Sequence, residues 1–153
     1  MKTDAPKEED IKKIKEFLEE KDLRYDILND NTIVVPYEIA GKLFKPSVEI
    51  HGKWLVVNAL IVGSEDIPSK DDAYTLDLYR KLLLAVHELP EINFDVDEAG
   101  SIYTSVDMRL EITDFNNFFS EFFAVPYGVK YFIEKIAPSM DPPIEVKGFP
   151  EEG

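Results

Sequence analysis

Few side chains in this 153-residue sequence have the type and spacing that metal binding or catalysis requires. The chain has no cysteine, and neither of its two histidines, His51 and His87, has a second ligand at zinc-site spacing. His87 precedes Glu88 and could act as a general base, but no partnered nucleophile accompanies it. The sequence therefore predicts a protein that is not an enzyme and that has no metal and no cofactor.

One acidic segment, residues 95–100, resembles the start of a calcium loop. The EF-hand pattern needs an oxygen ligand at position 5 and a glutamate at position 12, where this sequence has Ala99 and Val106. Apolar and polar residues alternate on both sides of the segment, which is typical of two strands joined by a turn. We therefore expect a hairpin turn at this position instead of a calcium site.

The charge of the chain limits its partners. It has 31 acidic and 17 basic residues, a formal net charge of −14. Such a charge repels phosphate backbones and anionic lipids, so we expect no nucleic-acid partner and no membrane partner. The first nine residues are polar, and the longest apolar run, residues 54–62, is too short to span a bilayer. We expect a cytoplasmic protein, and the absence of glutamine beside many Lys and Glu residues is typical of thermophiles.

The periodicity of apolar residues predicts the order of the elements. Asp4 and Pro6 favour a helix start, and Ile11, Ile14, Phe17 and Leu18 form an apolar stripe over residues 7–21. Strands are predicted over residues 24–27, 33–39, 44–50, 53–62, 92–96 and 102–110, and helices over residues 73–89 and from 113 or 114 to 138. The order α-β-β-β-β-α-β-β-α predicts an α+β fold with helices packed on an antiparallel sheet. Residues 1–137 would form a single domain, and residues 138–153 an extended or disordered tail.

Two elements have more apolar surface than one sheet-and-helix body can cover. Both faces of strand 53–62 are apolar, so both should be covered. Apolar residues of helix 73–89 span an arc of roughly 200°, whereas a helix on a sheet needs an apolar stripe of about 100°. This excess favours a homodimer built on the helix and the strand, with the last helix covering the excess internally as the alternative. The predicted dimer residues are Leu76, Tyr79, Leu83 and Val86.

The last helix has an aromatic stripe and a shift of register. The stripe consists of five phenylalanines, which are Phe115, Phe118, Phe119, Phe122 and Phe123. Such a stripe is more often core than a ligand groove, because soluble proteins rarely expose large apolar patches. After Pro126 the apolar stripe continues on a different side of the helix, so Pro126 and Gly128 predict a kink or short break.

Three segments carry a resemblance to a known family. These are residues 33–37 (Ile-Val-Val-Pro-Tyr), residues 52–55 (Gly-Lys-Trp-Leu) and the acidic loop before the second helix. Together with the order of elements, they resemble the YbjN-like family, which is similar to the type III secretion chaperone fold, over residues 11–136. The resemblance implies a small acidic homodimer that binds protein segments or acts as a regulatory protein. The family has no known catalytic residues that could be assigned to positions in this sequence. The phenylalanine-rich helix and the proline-rich tail depart from the family pattern.

The surplus apolar surface, the acidic charge and the missing chemistry predict a non-enzymatic protein-binding domain. It would act as a chaperone-like or adaptor protein that holds a segment of a partner protein. The predicted contacts are Leu55, Val57, Ala59 and Tyr103, taken as outward positions on sheet strands. The alternative is an acidic inhibitor or mimic that blocks a basic nucleic-acid-binding protein, whose binding would weaken with salt. A small enzyme would require a cleft in which ionisable groups converge.

Overall fold

In the computed structural model, which describes residues 8–150, helices pack on one face of a six-stranded antiparallel sheet. The helices are α1 (Glu8–Glu20), α2 (Asp72–Glu88) and α3 (Phe115–Tyr131). The strands are β1 (Asp26–Asn29), β2 (Thr32–Val34), β3 (Tyr37–Ile39), β4 (Lys42–Phe44), β5 (Ser47–His51), β6 (Trp54–Val62), β7 (Phe94–Val96) and β8 (Ile102–Arg109). The predicted α+β fold with an antiparallel sheet is therefore confirmed.

The sheet order is β1-β2-β5-β6-β8-β7, while β3 and β4 form a separate two-stranded hairpin. The sequence predicts one strand where β2 and β3 lie and one where β4 and β5 lie, and the structure divides each of them at a proline. Pro36 and Pro46 occupy the division points, because a proline nitrogen has no hydrogen to donate to a strand ladder. The Val35 N–H donates to the Pro46 carbonyl over 2.8 Å, which joins the two division points.

Helix α1 packs through the predicted stripe. Ile14 and Leu18 are fully buried, and the Phe17 ring lies 5.9 Å from the Phe115 ring and 5.6 Å from the Phe118 ring, between centroids. The apolar side of α1 is thus held against the start of α3. The predicted cap at Asp4 and Pro6 lies outside the described residues.

Helix α3 places the aromatic stripe in the core. Phe118, Phe119 and Phe122 are buried, which agrees with the expectation that the stripe forms part of the core and not a ligand groove. The helix continues through Pro126 without the predicted break. Regular α-helical winding ends instead at Tyr131, and a π turn over Phe132–Ile136 follows.

The segment after α3 lies against the body of the protein. Residues 140–149 contain no helix or strand, apart from one β-bridge between Phe149 and Leu43. The sequence separates this segment from the domain as an extended or disordered tail, but Met140, Ile144 and Val146 are buried with the core. The last three residues of the predicted tail, 151–153, lie outside the described residues. Within residues 8–150, no helix is long and apolar enough to cross a membrane.

Candidate protein-binding surfaces

The helices cover only one face of the sheet. On β6, Leu55, Val57 and Ala59 point to the helix side and are buried, whereas Trp54 on the other face is 46% exposed. Leu55, Val57 and Ala59 are therefore not the outward positions that the sequence predicts, since they lie buried on β6, a strand that α3 contacts. Alternation identifies the two faces of the strand but not which of them the helices cover, since both faces are apolar.

The residues that do face outward define what we call the open sheet face. On β6 these are Trp54, Val56, Asn58 and Leu60, and strand pairing places Arg109, Asp107, Ser105 and Tyr103 of β8 beside them in that order. Val56 and Leu60 are only half-buried by the described residues, and Tyr103 is half-buried too. Tyr103 is thus the one predicted contact residue that the structure places on this face. The sequence predicts that both faces of β6 are covered, and within the described residues only the helix side is fully covered.

Polar side chains on the open sheet face are held by hydrogen bonds across strands. Asn58 Nδ2 donates to Glu49 Oε2 over 2.9 Å, and Ser47 Oγ lies 3.2 Å from Asn58 Oδ1. At the β7 side, Ser105 Oγ donates to Asp95 Oδ2 over 2.6 Å. These bonds fix two carboxylates on either side of the apolar residues of β6, which makes the face both apolar and acidic.

Trp54 stacks with Arg109 at one end of this face. The Arg109 guanidinium carbon lies 5.4 Å from the centre of the Trp54 ring, and Arg109 also pairs with Glu111 over 2.6 Å. A guanidinium at this distance from an indole ring forms a cation–π contact. The indole is therefore oriented by its neighbour while one side of it faces solvent.

The acidic segment over residues 95–100 forms the predicted hairpin turn between β7 and β8. Asp97 accepts from the Ser101 N–H over 2.9 Å and from the Tyr103 hydroxyl over 3.0 Å. The backbone bond from Ser101 lowers the pKa of Asp97, and the Tyr103 hydroxyl adds to the effect. Burial, followed by the bond to Asp97, raises the pKa of Tyr103. The carboxylate therefore stabilises the turn and orients Tyr103 on the open sheet face.

Helix α2 presents a second uncovered surface, which we call the α2 stripe and which consists of Leu76, Tyr79, Leu83 and Val86. Leu76 and Leu83 are 71% and 70% exposed, while Tyr79 and Val86 are partly buried. The opposite side of the helix is buried through Tyr74, Leu78, Leu82 and Ala85. All four predicted dimer residues thus lie along one side of the helix, and α3 does not cover the excess.

One exposed apolar site is absent from the sequence prediction. Edge strand β1 carries Ile27, 53% exposed, and Leu28, 68% exposed, and the described residues leave both side chains uncovered. Alternation of residues 24–27 predicts a strand, but the order of strands in the sheet decides that this strand is an edge. The alternation of residues along a strand does not show where the strand lies in the sheet, so it cannot predict an edge position.

An open cleft near the start of α2 has ionisable side chains in its lining. The cleft has a volume of about 400 Å³ and includes Asp71, Asp77, Asp141 and Tyr74 in its lining. Asp77 pairs with Lys81 over 3.0 Å, and the Tyr74 hydroxyl donates to the Pro142 carbonyl over 2.8 Å. Burial, with Asp141 and Asp77 nearby, raises the pKa of Tyr74. The tyrosine is therefore a protonated donor that holds the backbone of the C-terminal segment.

The cleft has no metal-binding arrangement. Among residues 8–150, no group of three or more His, Asp or Glu side chains could hold a metal ion. His51 lies at a strand end, 3.8 Å from Glu49, and His87 is exposed on the last turn of α2. The two histidines are thus on separate elements.

Comparisons with known proteins find similarity in structure and not in sequence. No family model matches the sequence, and no curated protein matches it. A chain of the HopA1-SchA chaperone–effector complex is 14% identical, with a TM-score of 0.54, over 78% of this chain and 91% of that chain. A chain of the heterodimeric ExoU-SpcU complex from the type III secretion system of Pseudomonas aeruginosa is 17% identical, with a TM-score of 0.57, over 84% of this chain and 98% of that one.

YbjN from E. coli is also similar. It is 8% identical, with a TM-score of 0.57, over 86% of this chain and 94% of that chain. At such identities the likeness concerns the fold and not the function. The resemblance inferred from the sequence is thus supported at the level of the fold, and the chain has the α+β fold of these secretion-system and YbjN structures.

Proposed function

We propose that this protein is a non-enzymatic, chaperone-like binding protein that pairs with a second copy and holds a segment of another protein. The observation that carries the proposal is uncovered apolar surface on two separate elements, the α2 stripe and the open sheet face. Soluble proteins rarely leave such surface uncovered unless a partner covers it. The fold likeness to a chaperone–effector complex supports the same class of function.

The α2 stripe suits a second copy of the chain, because its residues complement one another about a two-fold axis. If two α2 helices pair antiparallel about a point between Tyr79 and Arg80, Leu76 of one copy lies opposite Leu83 of the other. The same register places Asp72 opposite His87. Burial of each leucine would contribute roughly 1.5–3 kcal/mol.

The open sheet face suits a partner segment with apolar and basic side chains. Val56, Leu60 and Trp54 supply apolar area, and Glu49 and Asp107 flank Val56 on the neighbouring strands. The net charge of −14 also attracts basic segments. A partner of this kind would bury the apolar residues and pair its charges with the carboxylates.

The first experiment measures mass in solution by light scattering coupled to size exclusion. We expect wild type to be a dimer and Leu76→Asp/Leu83→Asp to be a monomer with an unchanged circular dichroism spectrum. Tyr127→Asp, which changes an exposed aromatic residue on α3, serves as the control and should remain dimeric. A monomeric wild-type protein would contradict the pairing proposed for the α2 stripe.

The second experiment tests the open sheet face by co-purification from the source lysate. Val56→Lys/Leu60→Lys should lose the partner that wild type and Tyr127→Asp retain, with circular dichroism as the check of folding. The partner should stay bound at about 1 M salt, where the Debye length is about 3 Å. Loss of the partner in salt would favour an acidic inhibitor instead. Retention of the partner by the lysine variant would exclude the open sheet face.

A further inference from the structure

The C-terminal strap, residues 140–149, packs on the body as an extended peptide does in a groove. Its exposure alternates over four residues: Ile144 and Val146 are buried, while Glu145 and Lys147 are exposed. Such alternation is the pattern of a β-strand with one face inward. The strap nevertheless belongs to neither sheet, and its one bridge pairs Phe149 with Leu43 of β4.

Polar contacts hold the strap to the body at separate points, one of which is the ion pair between Lys147 and Asp66 over 3.2 Å. The Phe149 N–H donates to the Leu43 carbonyl over 2.8 Å, and Lys42 Nζ donates to the Val146 carbonyl. At the other end, the Tyr74 hydroxyl donates to the carbonyl of Pro142. None of these contacts is part of the β6–β8 ladder or of the α3 packing that form the centre of the core. Release of the strap would therefore leave the central hydrogen-bond ladders intact.

Gly148 makes the fit of the strap specific. Its φ is +70°, and a Cβ atom built there would lie 2.8 Å from the Leu43 carbonyl oxygen and 3.0 Å from Lys42 Cβ. A side chain at this position is disfavoured by the positive φ and requires the β4 segment to shift. Phe149 follows directly, with Lys45 Nζ 5.6 Å from the centre of its ring. The groove thus selects a glycine followed by an aromatic residue.

We propose that the groove between the β3–β4 hairpin and the start of α2 is a docking site for extended peptide segments, occupied by the chain's own strap. The strap leaves this site while the rest of the protein stays folded. The ligand class follows from the strap: two apolar residues at alternate positions, then a glycine two residues after the second of them, then an aromatic residue. The site is separate from the α2 stripe, and the proposal does not depend on the proposed function.

The test uses the full chain and a fluorescein-labelled peptide of residues 139–150. Gly148→Ala in the chain weakens the internal occupant but leaves the groove unchanged. If the variant opens the groove about tenfold more often, the peptide should bind it about tenfold more tightly than wild type, since apparent affinity scales with the competent fraction. Glu145→Ala, at an exposed strap position, is the control and should bind the peptide as wild type does.

Hydrogen exchange then shows whether the strap opens by itself. The Phe149 and Ile144 amides should exchange faster than those of β6, and Gly148→Ala should accelerate only the strap amides. Exchange of strap and β6 amides at one common rate would overturn the proposal, as would failure of the peptide to bind Gly148→Ala.

A second variant covers the case in which Gly148→Ala unfolds. Leu43→Cys/Phe149→Cys places two thiols at the bridge pair of a chain that otherwise has no cysteine. The oxidised form should exclude the labelled peptide and the reduced form should bind it. Equal binding by both forms would also overturn the proposal.

Discussion

Gly128 of α3 and Thr104 of β8 meet where the helix crosses the sheet. A Cβ atom at Gly128 would lie 2.5 Å from Thr104 Oγ1 and 3.2 Å from Thr104 Cβ. The Thr104 hydroxyl is buried and has no hydrogen-bond partner within the described residues. Glycine is therefore required at residue 128 by close packing and not by backbone conformation.

Gly128→Ala should lower the free energy of unfolding, measured by urea denaturation, by about 1–3 kcal/mol, because the added methyl overpacks the crossing. Without the clash, alanine would stabilise a helix interior by about 0.5–1 kcal/mol. Thr104→Ala removes the hydroxyl that the new methyl meets. The double variant should consequently lose less stability than the sum of the two single variants, and strict additivity would contradict the contact.

Asp97 provides the pH-dependent prediction at this scale. Its pKa in the folded protein lies below the ordinary value of 3.8, chiefly because the Ser101 N–H bonds the carboxylate. A lowered folded-state pKa contributes stability above the unfolded-state pKa and loses it as the pH falls through the folded-state value. Asp97→Asn should therefore be less stable than wild type at about pH 7, and the difference should be smaller at about pH 3, because the contribution is lost as the pH falls toward and through the folded-state pKa.

Urea unfolding of both proteins at the two pH values measures this difference. Glu98→Gln is the control, since it removes a charge from the same turn but leaves the bond between Asp97 and Ser101 in place. Its free energy of unfolding should differ less from that of wild type at neutral pH. If the Asp97→Asn difference persisted unchanged at low pH, the carboxylate would not be its source.

Among the elements, α3 has the best-defined start. The Asp114 side chain accepts from the Asn117 N–H over 2.7 Å, the N-cap bond that the sequence predicts with Thr113 or Asp114 as the cap. Thr113 is buried instead, and its hydroxyl donates to the Arg109 carbonyl over 2.6 Å. Asp114 is therefore the cap of the helix that carries the aromatic core.

Asp114→Ala should lower the free energy of unfolding by about 1 kcal/mol, because one amide at the helix start loses its acceptor. Asn116→Ala, two residues further and exposed, is the matched control and should leave stability unchanged or slightly higher. Urea denaturation of both variants measures the difference. Equal stability of the two would contradict the capping role.

The elements also show which features of this structure the sequence predicts and why the others are not predictable from it. Helical and strand periodicity predicts each long element and its apolar sides. It does not predict which side of β6 the helices cover, since Leu55 and Val56 belong to equally apolar faces. The sequence places Pro36 and Pro46 at an edge, a bulge or a strand end. The separate pairing of β3 with β4 shows that both prolines lie between strands.

At the scale of the whole molecule, some candidate surfaces are predictable from the sequence and others are not. The α2 stripe is predictable because the excess arc of the helix is visible in the sequence. The open sheet face is not, because its identity depends on where α3 packs. The buried strap is missed for another reason: Ile144 and Val146 are isolated apolar residues among prolines and charges, a composition typical of a disordered tail.

Pairing through the α2 stripe would make the thermal stability depend on protein concentration. Because association stabilises the folded state by mass action, the Tm of wild type should rise as the protein concentration increases. The Tm of Leu76→Asp/Leu83→Asp should stay constant over the same range. Calorimetry at several concentrations measures both, and a constant wild-type Tm would contradict pairing.

Trp54 is the only tryptophan in the chain, and it lies on the open sheet face beside a guanidinium. The intrinsic fluorescence of the protein thus comes mainly from one indole that is half in water. Any molecule that settles over this face would shift the emission to shorter wavelength and shield it from iodide. The protein therefore contains its own optical reporter for occupancy, which requires no label and no knowledge of the partner.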